Sequence, residues 1–472
     1  MNMNRRDFLA ATVLGLAGCR AARIQTAESG DRIHGRLRVL RENPRYFTDD
    51  TGRAVYLTGA HTWPNLVDQG LTDPPRPFDF SAYLERLTAH GHNFIRLWTW
   101  ESTVCDIDEG GRRMRYYAAQ QPWVRSGPGL ALDGKPRFDL GRFNPDYFER
   151  LRQRVKAAAN QGIYVSVMLF EGWAMQHAIG AWEGHPFHPK NNVQGVNGDV
   201  NGDGRGLDIF TLGSPTTLRL QEDYVRRVID TVGQFDNVLY EISNENHPPS
   251  TEWQYHLIRF IQEEERRRRH QHPVGMTFQY KGGSNQALFD SPADWISPNP
   301  EGGYRDDPPA ADGRKVILTD TDHLWGIGGS ADWVWKSFLR GLNPLFMDPY
   351  DGVTFGAGDA AKWEPIRVAL GRTRRLADRL PLHQMTPQAG LASTRFCLAT
   401  PPGSKAELLV YAPADGSVTV DLTTYQGTYA VAWICGEHLS GEASGAPVRG
   451  GIAARLDCPS PGAAVLHLKR HT

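Results

Sequence analysis

The sequence predicts an α/β fold, a (β/α)8 TIM barrel over residues 50–380, followed by a small all-β sandwich over residues 386–472. From Asp50 onward, short β-branched and aromatic runs alternate with longer amphipathic segments, which is typical of βα units in a parallel sheet. After Met385 no helical periodicity remains, and the alternating runs that follow, separated by Gly, Pro and Asp, are residues 406–411, 417–422 and 429–434. The 472 residues have room for both domains.

Eight candidate barrel strands occur in this region. They are residues 54–60, 93–98, 163–170, 238–243, 274–279, 295–298, 316–320 and 345–348. The clearest helices between them are predicted over residues 81–90, 145–160 and 215–235. Two long segments, 101–142 and 171–213, follow strands two and three and therefore belong to the end of the barrel where such folds build their sites. We expect them to line a deep cleft.

The first residues have the pattern of an export signal. Arg5 and Arg6 precede a short apolar run, residues 10–17, which is too short to cross a bilayer. The run ends in Leu-Ala-Gly-Cys, which resembles a lipobox, where the cysteine thiol is acylated and becomes the mature N-terminus. We therefore predict a twin-arginine lipoprotein signal peptide over residues 1–18 and lipidation of Cys19.

Export and anchoring are thus predicted together, with the lipid as the sole attachment to the membrane. Arg20 follows the acylated cysteine, and the resemblance to bacterial lipoproteins then implies the outer membrane, hence a periplasmic or cell-surface location. Residues 19–49 are predicted to form a linker and an N-terminal β segment.

Composition restricts the partners and cofactors. With 52 basic and 53 acidic side chains there is no net field to attract nucleic acid, so a nucleic-acid partner is not expected. The four cysteines after Cys19 lack CxxC spacing, so zinc is not indicated, although a disulfide among the last three is open; they are Cys105, Cys397, Cys435 and Cys458. No catalytic metal or other cofactor is predicted.

One loop has features of a calcium site. Asp199, Asn201 and Asp203 alternate as the ligands do at the opening of a calcium loop. Phe210 occupies the twelfth position, where a bidentate glutamate is required, so a complete EF-hand is excluded. A Gly/Asn/Asp turn cluster is the simpler interpretation, and a structural calcium ion is the alternative.

The strongest chemical signal is the end of strand four, YEISNEN at residues 240–246. Side chains alternate along a strand, so Glu241, Ser243 and Glu245 share one face. Buried carboxylates are costly unless they are paired. We therefore expect Glu245, at the lip, to meet a ligand, and Glu241, below it, to pair with an arginine such as Arg96.

This motif resembles the YEI-x-NEP strand of cellulase-like glycoside hydrolases, the clan of barrels with catalytic glutamates after strands four and seven. The resemblance implies that Glu245 is the acid/base, that Asn244 binds the sugar 2-hydroxyl, and that Arg96, in NFIRLW, steadies the nucleophile. Asn246 replaces the usual proline. The C-terminal YAVAWICGEHLSG is similar to the putative collagen-binding-type β-domain of some bacterial barrels.

Strand seven, KVILTDTDHLW, then has to supply the second carboxylate. Asp320 stands where the family has glutamate, and Asp322, with the same parity and nearer the cleft, competes with it. Retention requires carboxyl groups about 5 to 5.5 Å apart and inversion about 6.5 to 9.5 Å. We predict a retaining mechanism with Glu245 as acid/base and Asp320 as nucleophile.

Polar and aromatic residues at the other predicted strand ends are candidates for substrate binding. The full set is His61, Trp63, Arg96, Trp98, Glu171, Trp173, Asn244, His247, Asp322, His323, Trp325 and Asp348. Flat amphipathic side chains stack well on the apolar face of a sugar ring. The tryptophan usual at the end of strand eight is absent, which puts a common cellulose-type specificity in doubt.

The sequence therefore predicts an exported glycoside hydrolase acting on a poly- or oligosaccharide. A non-catalytic carbohydrate-binding protein on a degenerate barrel is the alternative, because aspartate replaces glutamate in strand seven. A metal-dependent barrel hydrolase is a third reading, since Asp320, Asp322 and His323 are expected near His61, but the His-x-His pair usual after strand one is missing.

Overall fold

A computed structural model describes residues 33–109, 111–356, 358 and 361–471. The predicted signal peptide and Cys19 lie outside these residues. In the part of the chain that is described, no helix combines the length and apolar character needed to cross a bilayer.

The eight predicted strands form a nearly closed barrel of parallel strands. In chain order they are β1 (Gly59–His61), β2 (Phe94–Leu97), β3 (Tyr164–Glu171), β4 (Val238–Asn244), β5 (Val274–Thr277), β6 (Trp295–Ser297), β7 (Val316–Asp320) and β8 (Asn343–Met347). Each strand from β2 to β8 is hydrogen-bonded to the next, and β8 pairs with β1. At the remaining seam, the Asn93 amide donates to the Thr58 carbonyl at 3.0 Å, and the Thr58 amide donates to the Asn93 side chain at 2.9 Å.

The α-helices of the described residues connect and surround these strands. They are α1 (Phe80–His90), α2 (Pro145–Asn160), α3 (Trp173–His177), α4 (Pro215–Val232), α5 (Thr251–Arg267), α6 (Asn285–Asp290), α7 (Thr321–Trp325), α8 (Ala331–Leu339) and α9 (Glu364–Ala377). Helix α2 shows why the sequence folds this way. The Asn144 side chain accepts the Asp146 amide as an N-cap, Pro145 starts the first turn, and the apolar face that includes Leu151 and Val155 is buried.

The predicted first strand, residues 54–60, is divided between two sheets. Its start pairs with an N-terminal β segment, and β1 begins only at Gly59. The interruption has a physical reason, because the Leu57 amide donates to the Asn343 side chain instead of to a strand. The N-terminal sheet consists of Arg38–Val39, Phe47–Thr48 and Ala54–Val55.

The long segment after β2 is not an irregular loop. It contains four strands, Val104–Glu109, Arg112–Ala119, Trp123–Leu130 and Pro136–Phe143. The first two join Asp68–Gly70 in an antiparallel sheet, and the last two form a hairpin. Both belong to the end of the barrel where the strands have their carboxyl ends.

The C-terminal region is all-β and antiparallel, as predicted. Its strands are β9 (Thr386–Pro387), β10 (Cys397–Ala399), β11 (Glu407–Ala412), β12 (Ser417–Asp421), β13 (Thr428–Cys435), β14 (Gly441–Arg449), β15 (Ala453–Asp457) and β16 (Ala464–Arg470). Six strands form one sheet in the order β9-β10-β11-β16-β13-β14, and β12 pairs with β15. The region has its own apolar core, which includes Leu408, Val420, Trp433 and Leu466. Its cysteines and Cys105 are free thiols.

Candidate active site

Arg96 lies at the centre of the barrel's carboxyl end. Its guanidinium forms two hydrogen bonds to Glu241, at 2.9 and 2.6 Å, which confirms the predicted pairing below the lip. The same group donates to Asp320 at 2.9 Å and to Asp322 at 3.2 Å. It also donates to the Asn244 side-chain oxygen at 2.6 Å. One buried cation therefore holds side chains from β4 and β7 against β2.

Glu245 follows β4 in a left-handed backbone conformation, with φ of 43°. A non-glycine residue in this region is strained and needs support from its surroundings. The Glu245 amide donates to the Thr277 hydroxyl at 3.3 Å, and the Gln176 side chain donates to the Glu245 carbonyl at 2.8 Å. Gly172 makes room for the turn, because a Cβ there would be 2.5 Å from the Asn246 Cα.

The carboxylates in this site differ in their protonation. Burial, and then the charge of Asp322, raise the pKa of Glu245 well above its ordinary value. Burial also raises the pKa of Asp322, to about 6, although Arg96 opposes the shift. For Asp320, contacts with His61 and Arg96 outweigh burial and hold the pKa well below its usual range. At neutral pH one acid retains its proton beside ionised carboxylates.

Asp320 is fully enclosed by hydrogen bonds. The His61 Nε2 lies 2.9 and 2.8 Å from its two oxygens, and the Asp322 amide donates to Oδ1 at 3.0 Å. None of its surface is exposed. Asp322 accepts a hydrogen bond from Arg96 and retains 8 % of its side-chain exposure. Side-chain ligand atoms of Glu245, Asp322 and His323 all lie within 4.8 Å of one another.

His323 is held in a defined tautomer by its neighbours. Its Nε2 is 3.2 Å from the Asn244 Oδ1, an oxygen that also accepts from Arg96, so Nε2 carries the proton. Its Nδ1 lies 2.6 Å from the Ser297 hydroxyl and accepts a hydrogen bond from that hydroxyl. Burial, and then the charge of Arg96, lower the pKa of His323 well below its ordinary value, so the ring is neutral. The Asn244 Nδ2 makes no hydrogen bond to a described residue.

Aromatic rings form the wall beside these groups. The Trp98 ring stacks on His61, with centroids 5.5 Å apart and planes 18° apart. Trp63 contacts Trp98 at 6.4 Å and Trp173 at 6.0 Å. Phe355, which the sequence did not single out, lies 4.5 Å from Trp63. The predicted aromatic residues of strands one to three therefore meet in one cluster.

Glu171, at the end of β3, lies in the same region, but its carboxyl is hydrogen-bonded to backbone amides. Its carboxyl accepts the amides of Trp173 and Ala174, at 2.8 and 3.0 Å, and so caps the short helix α3. Its own amide donates to the Glu101 carboxylate at 2.9 Å. Burial raises the pKa of Glu171 to about 8.

Three predicted site residues lie away from the Arg96 centre. Asp348 forms a buried ion pair with Arg367, and Trp325 packs edge-on against Trp333 at 5.4 Å. His247 bonds to the adjacent Asn246 side chain at 2.8 Å and contacts Phe210. These contacts give the three side chains partners outside the Arg96 network, and their role in substrate binding stays a prediction.

Ser297, Tyr280 and Glu101 are residues of the site that the sequence did not indicate. Ser297 orients His323, and Glu101 holds the end of β3. The charge of Glu245 is one of the causes, after burial, that raise the pKa of Tyr280, which places that ring beside the carboxylates. Tyr280 follows β5 and Ser297 is the last residue of β6, so their position at a strand end was a usable signal.

The loop predicted as a turn or calcium site makes several hydrogen bonds of its own, although the buried Oδ1 of Asp199 has no partner among the described residues. The Asp203 amide donates to the Asn201 side chain at 2.8 Å, and the Gly204 amide donates to Asp199 at 3.0 Å. The Asp208 carboxylate accepts the Asn201 amide at 2.9 Å. These are the hydrogen bonds of a turn cluster; a calcium ion at this loop stays a prediction.

This architecture is known from other proteins. The chain resembles a structure named "Glycoside hydrolase" with a TM-score of 0.58 and 14% identity, over 93% of this chain and 97% of that one. A glycoside hydrolase family 5 structure from Bacteroides vulgatus has a TM-score of 0.58 and 15% identity, over 93% and 94%. A putative glycoside hydrolase from the same organism has a TM-score of 0.61 and 13% identity, over 92% and 82%. The fold is shared with these proteins.

Comparison of the sequence with known families gives one match, which covers part of the chain. A family described as a domain of unknown function (DUF6298) matches residues 108–282, which include the segment after β2, strands β3 to β5 and Glu245. No curated protein matches the sequence.

The Arg96 network makes a testable contribution to stability. We expect Arg96→Met to lower the free energy of unfolding by about 3–5 kcal/mol, because it leaves buried carboxylates without their cation. Urea denaturation at pH 7 measures the change. Arg115→Met is the matched control, since Arg115 pairs with Asp106 at the surface and its loss should change stability little. Equal effects of the two substitutions would contradict the structural role of Arg96.

Proposed function

We propose that the protein is a glycoside hydrolase that cleaves the glycosidic bonds of a poly- or oligosaccharide by a retaining, two-carboxylate mechanism. The observation that carries the proposal is the approach of Glu245 and Asp322, whose carboxylate oxygens lie within 4.8 Å of each other. This upper limit on the distance between one oxygen of each carboxylate lies below the roughly 6.5 to 9.5 Å of inversion and favours retention, which requires carboxyl groups about 5 to 5.5 Å apart. The shared fold with glycoside hydrolases supports the proposal as an analogy.

Glu245 is the acid/base in this proposal. Its raised pKa keeps it protonated at neutral pH, as a group that donates a proton to the leaving oxygen has to be. The supports on its backbone from Thr277 and Gln176 fix its position.

The contacts favour Asp322 over Asp320 as the nucleophile. Both oxygens of Asp320 are already bound by His61, Arg96 and the Asp322 amide, so an attack would break several buried hydrogen bonds. The Asp322 carboxylate accepts a hydrogen bond from Arg96 at 3.2 Å, has the His323 Nε2 3.5 Å away, and has an oxygen within 4.8 Å of Glu245. Asp320 then acts as a positioning residue, which fixes Arg96 and His61.

The reaction proceeds in two steps. An Asp322 oxygen attacks the anomeric carbon while the Glu245 proton goes to the departing glycosidic oxygen, which gives a glycosyl ester on Asp322. Glu245, now ionised, removes a proton from water as the water oxygen attacks the same carbon and releases the carboxylate. Asn244, whose Oδ1 is held by Arg96 and His323, has its Nδ2 free to donate to a sugar hydroxyl.

The same three groups, Glu245, Asp322 and His323, lie within reach of a single metal ion, as a metal-dependent hydrolase requires. The tautomer argues against this use, because the Nε2 proton points to Asn244 and Nδ1 is taken by Ser297. A ligand histidine has to offer a free lone pair. The metal-independent mechanism is therefore the one we propose.

Export and lipid anchoring are part of the proposal, and their support is the N-terminal sequence pattern alone. The twin arginines and the lipobox-like cysteine would place the enzyme where extracellular polysaccharide is available.

Replacing Glu245 tests the enzymatic assignment. On a panel of 4-nitrophenyl glycosides, we expect Glu245→Gln to lower kcat by about 10²–10⁴-fold, because the second step loses its base. Glu252→Gln, an exposed glutamate on α5, is the control and should leave kcat unchanged. If Glu245→Gln hydrolyses the panel like the natural chain, the assignment fails, and sugar affinity without turnover would instead identify a carbohydrate-binding protein.

Trapping the ester identifies the nucleophile. A 2-deoxy-2-fluoro glycoside of the accepted sugar, with an activated leaving group, should inactivate the enzyme with one label per chain. Peptide mass spectrometry should find that label on Asp322. A label on Asp320 would reverse the two roles, and Asp320→Asn, which should still accept the label, is the matching control.

The protonation states predict a bell-shaped dependence of kcat/KM on pH. Activity should rise as pH increases through about 6, where Asp322 loses its proton, and fall at higher pH, where Glu245 loses its proton. Glu171 is itself ionised only above about pH 8, where its charge helps to raise the pKa of Glu245, so Glu171→Gln should move the alkaline limb to lower pH and leave the acid limb in place. An alkaline limb that stays in place would contradict this electrostatic coupling.

Chelation separates the two hydrolase mechanisms. Prolonged treatment with EDTA should leave kcat unchanged, because the proposed mechanism uses no metal, and an unchanged Tm would favour the turn cluster over a calcium ion at the Asp199 loop. Loss of activity that Zn²⁺ or Mn²⁺ restores would favour the metal-dependent mechanism. A lower Tm that Ca²⁺ restores would indicate the structural calcium ion instead.

A further inference from the structure

A cavity lies between the barrel and the β-sandwich, apart from the Glu245 site. It has a volume of about 540 Å³, within the range of small-molecule sites. Helices α8 and α9 form one wall, and strands β11, β13, β14 and β16 form the other. The proposed hydrolysis uses none of its residues.

The barrel wall of this cleft is strongly basic. Arg372, Arg375 and Arg379 line it, and within the described residues none of them pairs with a carboxylate. Their hydrogen bonds go to backbone carbonyls: Arg372 donates to Leu439, Arg375 to His90 at 3.2 Å, and Arg379 to its own helix at 3.1 Å. Burial, and then the neighbouring guanidiniums, lower the pKa of Arg375, and Asp378 opposes this shift only in part.

The sandwich wall does not neutralise this charge. Its carboxylates at the cleft are Glu407 and Glu442. Glu407 is already shared by His467 and Lys469, at 3.1 and 2.9 Å. Glu442 is exposed on β14. The cleft therefore has more cations than anions and can accept a negatively charged ligand.

The cleft also has an unused neutral donor beside an apolar surface. Trp335 borders it with 0% exposure, and its Nε1 has no hydrogen-bond partner among the described residues. An unpaired buried N–H is costly, and a ligand oxygen would relieve it. Ile434, which is half-buried, and Leu376, which is buried, line the cleft with apolar side chains, and such side chains pack against the C–H face of a sugar ring.

We propose that this interdomain cleft binds an acidic saccharide, a sugar that carries a carboxylate or sulfate group. The guanidiniums bind the oxyanion, for which their fork of donors is suited, and the sugar ring lies against the apolar wall. A bare inorganic anion would leave most of the cavity unfilled. The site is independent of Glu245, so it can succeed or fail separately from the proposed hydrolysis.

Isothermal titration of the full chain at constant ionic strength tests the proposal. The probes are potassium glucuronate, glucose 6-sulfate, glucose and potassium sulfate. We expect saturable binding of one glucuronate or glucose 6-sulfate per chain, with glucose and inorganic sulfate at least tenfold weaker. Inorganic sulfate that binds as tightly as the acidic sugars would overturn the saccharide assignment, and absence of binding by both acidic sugars would overturn the site.

Variants locate the binding. The double variant Arg375→Gln/Arg379→Gln changes exposed side chains and should weaken the acidic sugar at least tenfold without a change in Tm. Trp335→Phe, which removes the indole N–H and keeps an aromatic six-membered ring, should also weaken binding of the acidic sugar. Arg455→Gln, an exposed arginine on β15, is the matched control and should bind normally. Glu245→Gln should bind normally too, and equal affinity in the double variant would refute the site.

Discussion

The buried guanidinium of Arg96 is the group on which the site depends. Moving an arginine and its carboxylates out of water costs several kcal/mol per ion, and only close pairing on every side recovers that cost. Arg96 is paired with Glu241, Asp320 and Asp322 and so connects β2 with β4 and β7 through the barrel interior. The same charge opposes the rise in the pKa of Asp322 and orients Asn244. The guanidinium of Arg96 therefore both fixes the positions of its neighbours and, together with burial, determines the pKa of Asp322.

Much of the barrel could be predicted from the sequence because parallel strands and amphipathic helices have distinct periodicities. Helix α2 and strand β7 have the predicted bounds, since a cap, a proline and a continuous apolar run mark them locally. Residues 54–60 were less predictable, because the division between two sheets depends on the side chains of Asn93 and Asn343, which are distant in sequence. The strands after β2 were missed because their exposed, charged residues resemble a loop.

The candidate site was predictable where a residue stands at a strand end and points inward. That rule located His61 and Glu245, whereas Arg96 was predicted as the partner of Glu241 and Asn244 only from the family resemblance. It cannot separate a ligand contact from a support, and Asp348 shows the difference, because its partner Arg367 comes from helix α9. The tautomer of a histidine also depends on residues that are distant in sequence. For His323 it is set by Ser297 and Asn244, which belong to two other strands.

At the end of strand seven an aspartate stands where the family resemblance implies a glutamate, and the turn that follows brings a second aspartate toward Glu245. Parity along a strand placed Asp320 and Asp322 on the same side, but β7 ends at Asp320 and helix α7 begins at Thr321. Asp320 caps this helix by accepting the Asp322 amide, so its carboxylate is kept below the mouth of the barrel. The first turn of α7 then brings Asp322 close to Glu245. The carboxylate that lies beside Glu245 is therefore supplied by the helical turn and not by the end of the strand, and alternation along the strand alone could not predict this.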